Sequence, residues 1–219
     1  MDVRKYYESI PHDKLMIWLK TRVGNKKLLW LIERLISEFD SGLSIGSYLS
    51  QHLGNLYLSD IYHMLESVHK VRRGKSYKIV DFQAFYMDDI LFVGKNSREL
   101  IKVAHMVIDE LNKLGLEVKE NWSCFKIDSS FIDMAGFRIY RDHMTVRRAT
   151  LKKIRRTYMR VNKNPKSLSG SRRIVSQYGI LKHSNSKKFC EKYNVYQKLN
   201  KAKGVVSYAD SLRCKNAAS

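Results

Sequence analysis

Two β-forming runs, IVDFQAFY (79–86) and ILFVG (90–94), stand on either side of Met87-Asp88-Asp89. Runs of this kind joined by so short a polar step predict an antiparallel hairpin with the acids at its turn. Successive strand side chains point to opposite faces, so Asp88 and Asp89 cannot share a direction on a regular strand. At a turn the alternation breaks, and the two carboxylates are expected to converge on one volume. Like charges held together repel unless a cation lies between them, and magnesium is the usual hard cation for carboxylate oxygens. Aspartate pairs also occur as plain solvated turn residues. A third acid separates these readings, and Asp2, in the β-type opening DVRKYY, is the candidate. Three such acids suit two ions roughly 3.5–4 Å apart, which activate an attacking 3′-hydroxyl and stabilise a leaving pyrophosphate.

The rest of the chain supplies packing partners for that hairpin. SIPHDKLMIWLKTRV predicts a helix with Leu15, Trp18, Leu19 and Val23 at helical spacing, and Lys26 to Phe39 a second with Leu28, Leu31, Ile32, Leu35 and Phe39 on one side. After the loop DSGLSIGS, residues 48–70 read as one long helix with Leu49, Leu53, Leu56, Tyr57 and Ile61 inward. The basic stretch KVRRGKSYK leads into the two β-type runs. Ser97 reads as the N-cap of a helix through Leu111 that Gly115 closes. LEVKE, CFKI, IDMAGFRIY and HMTVR predict short strands, and from Ala149 the chain becomes helical and basic, in three helices separated by NKNPKSLSG and KHSNS. The expected fold class is α+β: an antiparallel sheet with packed helices over residues 1–146, then a basic helical region over 147–219.

Charge sharpens this division. The net charge is +20, and residues 141–219 hold 21 Lys and Arg against three acids, so +18 of it lies there. A basic segment on a near-neutral body is the footprint of polyanion binding, most often nucleic acid. Cys124, Cys190 and Cys214 lack partners at metal-ligand spacing, which argues against a zinc site or a disulfide framework and for reduced thiols. With no apolar run long enough to span a bilayer and no signal-peptide core at the start, the expected compartment is the cytoplasm.

Taken in order, DVRKYYESIPH, GLSIGSYLSQHLGNLYL, FYMDDILFVG, LNKLGLEVKE and IDMAGFRIY resemble palm motifs A to E of reverse transcriptases. Motif B, with Ile45-Gly46 and Ser50-Gln51, is most similar to the reverse transcriptases of diversity-generating retroelements; many others carry Gln where Ile45 stands. Ser44 departs from the proline usual before that step. FIDMAGFRIYRDHMTVRRATLKK and YGILKHSNS resemble the palm-to-thumb passage of the same family.

The resemblance implies RNA-directed DNA polymerisation with two Mg²⁺ ions, template RNA, a primer and dNTPs, and a small basic accessory protein as partner. It makes Asp2, Asp88 and Asp89 catalytic, with Val3 joining them in metal binding. Tyr7, Ile45, Gly46, Ser50, Gln51, Tyr86 and Met87 would contact the nucleotide, Tyr7 by excluding a 2′-hydroxyl. Strict alternation instead puts Tyr6 on the face of Asp2, so Tyr7 serves only if the strand bulges or ends before it. Ile45 is associated in that family with misincorporation opposite template adenines. Met134, Ala135, Gly136 and Phe137 resemble the primer grip. Lys119 stands where a general acid for pyrophosphate would, or as a solvated lysine. Arg147, Arg148, Lys152, Arg155 and Arg156 would follow phosphate backbones. Because a fingers region normally precedes motif A, and Asp2 is the second residue, the expectation is a fragment lacking fingers. Two alternatives stay open: another bacterial reverse transcriptase, such as that of a group II intron, and an inactive RNA-binding remnant.

Overall fold

The computed structural model describes residues 1–164 and 167–217, with the side chains of Asn162, Lys163 and 214–217 excepted. Two compact units divide the chain, Met1–Phe125 and Lys126–Ser219. The last three strands share a unit with the basic helices.

Unit 1 is built on backbone pairing across its first residues. The opening DVRKYY is not a strand of that length: only Asp2 and Val3 pair, and Lys5, in the left-handed region at φ 45°, turns the chain into helix α1, Tyr6–Ser9. Helices α2 (His12–Lys20) and α3 (Lys26–Ile36) follow, with Leu15 and Leu19 of α2 in the core. Asn25 caps α3 by accepting from the Leu28 N–H. The apolar face expected on α3 is only partly covered. Ile32 and Ile36 are buried, whereas Leu28, Leu31, Leu35 and, just beyond it, Phe39 are exposed. The expected long helix breaks at Leu58 into α4 (Tyr48–Tyr57) and α5 (Ser59–Ser67); Leu53, Tyr57 and Ile61 point inward and Leu56 outward.

KVRRGKSYK forms a hairpin, β1 (His69–Arg72) with β2 (Lys75–Lys78), whose strand residues are all exposed. The hairpin around the aspartates is present as expected, β3 (Phe82–Tyr86) with β4 (Asp89–Val93), in register from Phe82↔Val93 to Tyr86↔Asp89. Helix α6 (Ser97–Lys113) is capped by Asn96, not Ser97: the Asn96 side chain accepts from the Arg98 and Glu99 N–H groups. Gly115, at φ 83°, closes it as expected, with Leu116 N–H donating to Leu111 O. Val118 then bridges to Val3, but CFKI is not a strand, and Ile127–Ser129 is a turn of 3₁₀ helix. The core of unit 1 gathers Val3, Leu15, Leu19, Tyr57, Leu65 and Leu111 from across these elements.

Unit 2 opens with a three-stranded antiparallel sheet in the order β5 (Ile132–Met134), β6 (Phe137–Ile139), β7 (Met144–Val146). IDMAGFRIY is thus a hairpin rather than one strand, because Ala135 and Gly136 both take left-handed backbone, at φ 50° and 85°. Among the described residues four helices follow, not three: α7 (Arg148–Lys163), α8 (Leu168–Lys182), α9 (Lys187–Lys192) and α10 (Val195–Ala217). The extra break comes at Asn194, at φ 47°. Ile154, Tyr158, Ile174, Leu181, Val195 and Leu199 form their core. Cys124 and Cys190 are free thiols, and the Cys214 side chain lies outside the described residues.

Candidate active site

Asp2 is positioned by hydrogen bonds on both sides of its strand. On one side, Val3 N–H donates to Asp88 O at 2.9 Å and Ile90 N–H to Met1 O at 2.8 Å, so Asp2 faces Asp89. On the other, Arg4 N–H donates to Glu117 O at 2.7 Å and Lys119 N–H to Asp2 O at 2.9 Å. Paired residues of antiparallel strands share a face. Asp89, Asp2 and Lys119 therefore stand in one row, while Val3 points into the core with no exposed surface. Lys119 Nζ reaches Asp2 Oδ2 at 2.8 Å, a pairing its sequence position did not announce. The signal available was that LEVKE, read as a strand, had to lie beside DV. The Met1 amino group donates to Ile90 O at 2.7 Å; burial lowers its pKa, against the opposing pull of Asp89 and Asp2.

Asp88 lies in the two-residue turn, after Met87 at φ 54°, and Asp89 is the first residue of β4. The charge of Asp88 acts on the tyrosines of α1. Burial first, and Asp88 among smaller causes, raises the pKa of Tyr6. The pKa of Tyr7 is raised by burial, then by Asp88 and Tyr86. Strand pairing ends at Val3, so both tyrosines are helical: Tyr6 is buried and donates from Oη to Gly54 O at 2.6 Å, whereas Tyr7 is half-buried with its Oη unpartnered.

The loop before α4 is tied to the same place. Leu43 N–H donates to Tyr7 O at 2.7 Å, and a Cβ on Gly42 would lie 2.4 Å from that oxygen. Gly54, inside α4, brings backbone against the tyrosines: a Cβ there would meet Tyr7 Cε1 at 3.2 Å. Neither glycine figured among the expected site residues, although a glycine inside a helix pattern signals close packing. Beyond Gly42, Ile45 is 74% exposed and Gly46 takes φ 91°; Ser50 is buried and Gln51 half-buried on α4. Tyr86 is exposed and Met87 half-buried.

A family model described as reverse transcriptase (RNA-dependent DNA polymerase) matches residues 1–139. The chain belongs to the reverse transcriptase family. It is thereby an RNA-directed DNA polymerase, a nucleotidyltransferase whose substrates are a template nucleic acid and dNTPs. A comparison with curated proteins finds no match.

Reverse transcriptases use divalent metal ions, and the donors of this reverse transcriptase suit one in kind. Asp2 Oδ1 is buried without a hydrogen-bond partner, an orphaned oxygen that a hard cation satisfies. The expected convergence is not complete. Among the described residues no three His, Cys, Asp or Glu side chains are grouped to hold an ion. The strand register explains this: it puts Asp89 in the row with Asp2 and leaves Asp88 in the turn, while Lys119 supplies a counter-charge to Asp2.

In unit 2, Met134 and Phe137 pair across the Ala135-Gly136 turn, and Arg147 N–H donates to Gly136 O at 3.1 Å. Arg147 is tied by its side chain to Asp133. Arg148, Lys152, Arg155 and Arg156 are exposed along one stripe of α7, at spacings of four, three and one, with Ile154 and Tyr158 buried on the other side. Among the described residues, no helix is long and apolar enough to cross a membrane.

Proposed function

We propose that this reverse transcriptase copies a structured RNA into DNA by two-metal nucleotidyl transfer, with misincorporation opposite template adenines, as part of a diversity-generating retroelement. The observation that supports it best is the bridge between Asp2 and Asp89, which joins the first acid of the chain to the Tyr-Met-Asp-Asp hairpin.

In this reading Asp2, Asp88 and Asp89, with Val3 beside them, hold Mg²⁺. Bound there, the ions supply charge neutralisation for the attacking 3′-hydroxyl and the leaving pyrophosphate. Tyr7 lies beneath the incoming sugar and leaves no room for a 2′-hydroxyl. Tyr86 and Met87 approach the same nucleotide from the hairpin. Ile45, Gly46, Ser50 and Gln51 run along the nascent base pair, where an exposed aliphatic side chain offers no polar contact and geometric discrimination weakens. Met134 to Phe137 steady the primer end. Arg148, Lys152, Arg155 and Arg156, with Arg147, follow phosphate backbones. A small basic accessory protein and a cytoplasmic setting complete the proposal.

Sequencing of DNA copied from a defined RNA tests it. Substitutions concentrated at template adenines are the expected result. Errors spread evenly over the four bases would point instead to a faithful bacterial reverse transcriptase of the group II intron kind. The ion pair of Lys119 with Asp2 favours a second reading, RNA binding without synthesis. That reading requires that the protein expressed from its complete reading frame bind RNA and make no DNA.

A further inference from the structure

The β1–β2 hairpin has no part in the chemistry described so far, nor in the core. All eight of its strand residues are exposed, including Val71 and Tyr77, and the cluster of buried side chains stops at Val68 and Ile79 on either side of it. Its charge is as unusual. Residues 69–78 hold five of the 18 Lys and Arg of unit 1 and none of its 16 Asp and Glu, so without them unit 1 would carry more acids than bases.

The cations are gathered, not dispersed. Arg72 stands directly across from Lys75, a like-charge pair that opposes hairpin formation, and Arg73 takes left-handed backbone at φ 51° in the turn beside them. Lys70, Arg72, Arg73, Tyr77 and Lys78 line a cavity of about 440 Å³ together with Lys95. Glu99 occupies Lys70 at 2.5 Å, and that bond holds its carboxyl below the usual range. Among the described residues no acid pairs with Arg72, Arg73, Lys78 or Lys95. A concave surface that collects repelling cations and leaves them unpaired is suited to an external polyanion. Lys70 and Tyr77 are cross-strand partners, so an aromatic ring, about half exposed, stands on the same face as the charge.

We propose that this hairpin is a second nucleic-acid surface, which takes the phosphates of single-stranded RNA in the cavity and stacks a base on Tyr77. Cations tracking a backbone beside an exposed aromatic are the two components of sequence-tolerant single-strand binding. The surface is distinct from the aspartates. It adjoins the Phe82↔Val93 end of the β3–β4 hairpin, and the acids lie at the Tyr86↔Asp89 end, four residue steps or roughly 13 Å along the strand. The basic stripe of α7 belongs to unit 2. RNA outside the copying site would be held there.

Two measurements on the full chain test this, with a short unstructured RNA as the probe. In lysine acetylation read by mass spectrometry, RNA should protect Lys78 and Lys95, while polyglutamate of equal charge should protect them less. In fluorescence anisotropy, the variant R72Q/R73Q/K78Q should lower the slope of log affinity against log salt by about two, as three lost phosphate contacts require. Tyr77→Ala should weaken binding and leave that slope unchanged. Far-UV circular dichroism checks that the variants fold, and the footprint on the unaltered protein needs no variant. Lysines left equally reactive by RNA, equal protection by polyglutamate, or an unchanged slope in a folded triple variant would each overturn the proposal. The footprint should also persist in Asp88→Ala, so a failure of DNA synthesis leaves this result standing.

Discussion

Asp2 stands between Asp89, opposite it in an antiparallel bridge, and Lys119, whose ammonium lies 2.8 Å from its carboxylate. One acid therefore belongs to two competing electrostatic arrangements, a carboxylate pair that attracts a cation and an ion pair that replaces it.

Removal of the lysine should favour the first arrangement. The pair is about two-fifths exposed on each side, where ion pairs contribute at most about 1 kcal/mol. Lys119→Ala should accordingly tighten Mn²⁺ binding about fivefold at most, as read by electron paramagnetic resonance of the free ion. Weaker binding would mean that Lys119 organises the acids instead of competing for them.

Gly42 is fixed by space as well as by φ. A Cβ would lie 2.4 Å from Tyr7 O and 2.5 Å from Glu8 C and O, all backbone atoms that cannot yield without moving α1. Gly42→Ala should cost about 2 kcal/mol or more in urea unfolding. A change within about 0.5 kcal/mol would show that the loop before α4 is not anchored to Tyr7.

Tyr57 is fully buried and donates from Oη to Leu114 O at 2.8 Å. Burial, with a lesser contribution from Asp13, pushes its pKa up to about 12. A phenol whose folded pKa lies above its unfolded value of about 10 stabilises fully below pH 10 and loses that contribution as pH rises towards 12. Stability measured by denaturant unfolding should therefore fall across this window. Tyr57→Phe should lower stability by about 1 kcal/mol or more at neutral pH and flatten the alkaline decline. An unaltered decline would assign it to other groups.

Ile45 is 74% exposed, so Ile45→Gln should leave stability within about 0.5 kcal/mol of the parent. The same substitution should lower misincorporation opposite template adenines relative to the other three bases. An unchanged error spectrum in the folded variant would remove Ile45 from fidelity.

Much of this was legible in the sequence. The 79–94 hairpin, the closure of α6 at Gly115 and the α+β class follow from local rules of alternation and turn chemistry. The motif order carried the family. What escaped was decided by pairing between distant segments. The role of Lys119 depends on which strand lies beside Asp2, and the single-strand reading of IDMAGFRIY overlooked that Ala135 as well as Gly136 takes left-handed backbone. The β1–β2 hairpin has no buried face, so no alternation marked it. Helix α3 showed the reverse: its periodic Leu28, Leu31 and Leu35 were legible, but periodicity says which side is apolar and not whether anything covers it.

Primer extension on an RNA template, by the protein expressed from its complete reading frame, compares the parent with Asp88→Ala. The expected result is DNA synthesis that requires a divalent cation and falls below detection in Asp88→Ala, with RNA binding retained. Undiminished synthesis by Asp88→Ala would contradict the assignment of the Tyr-Met-Asp-Asp hairpin as the catalytic element.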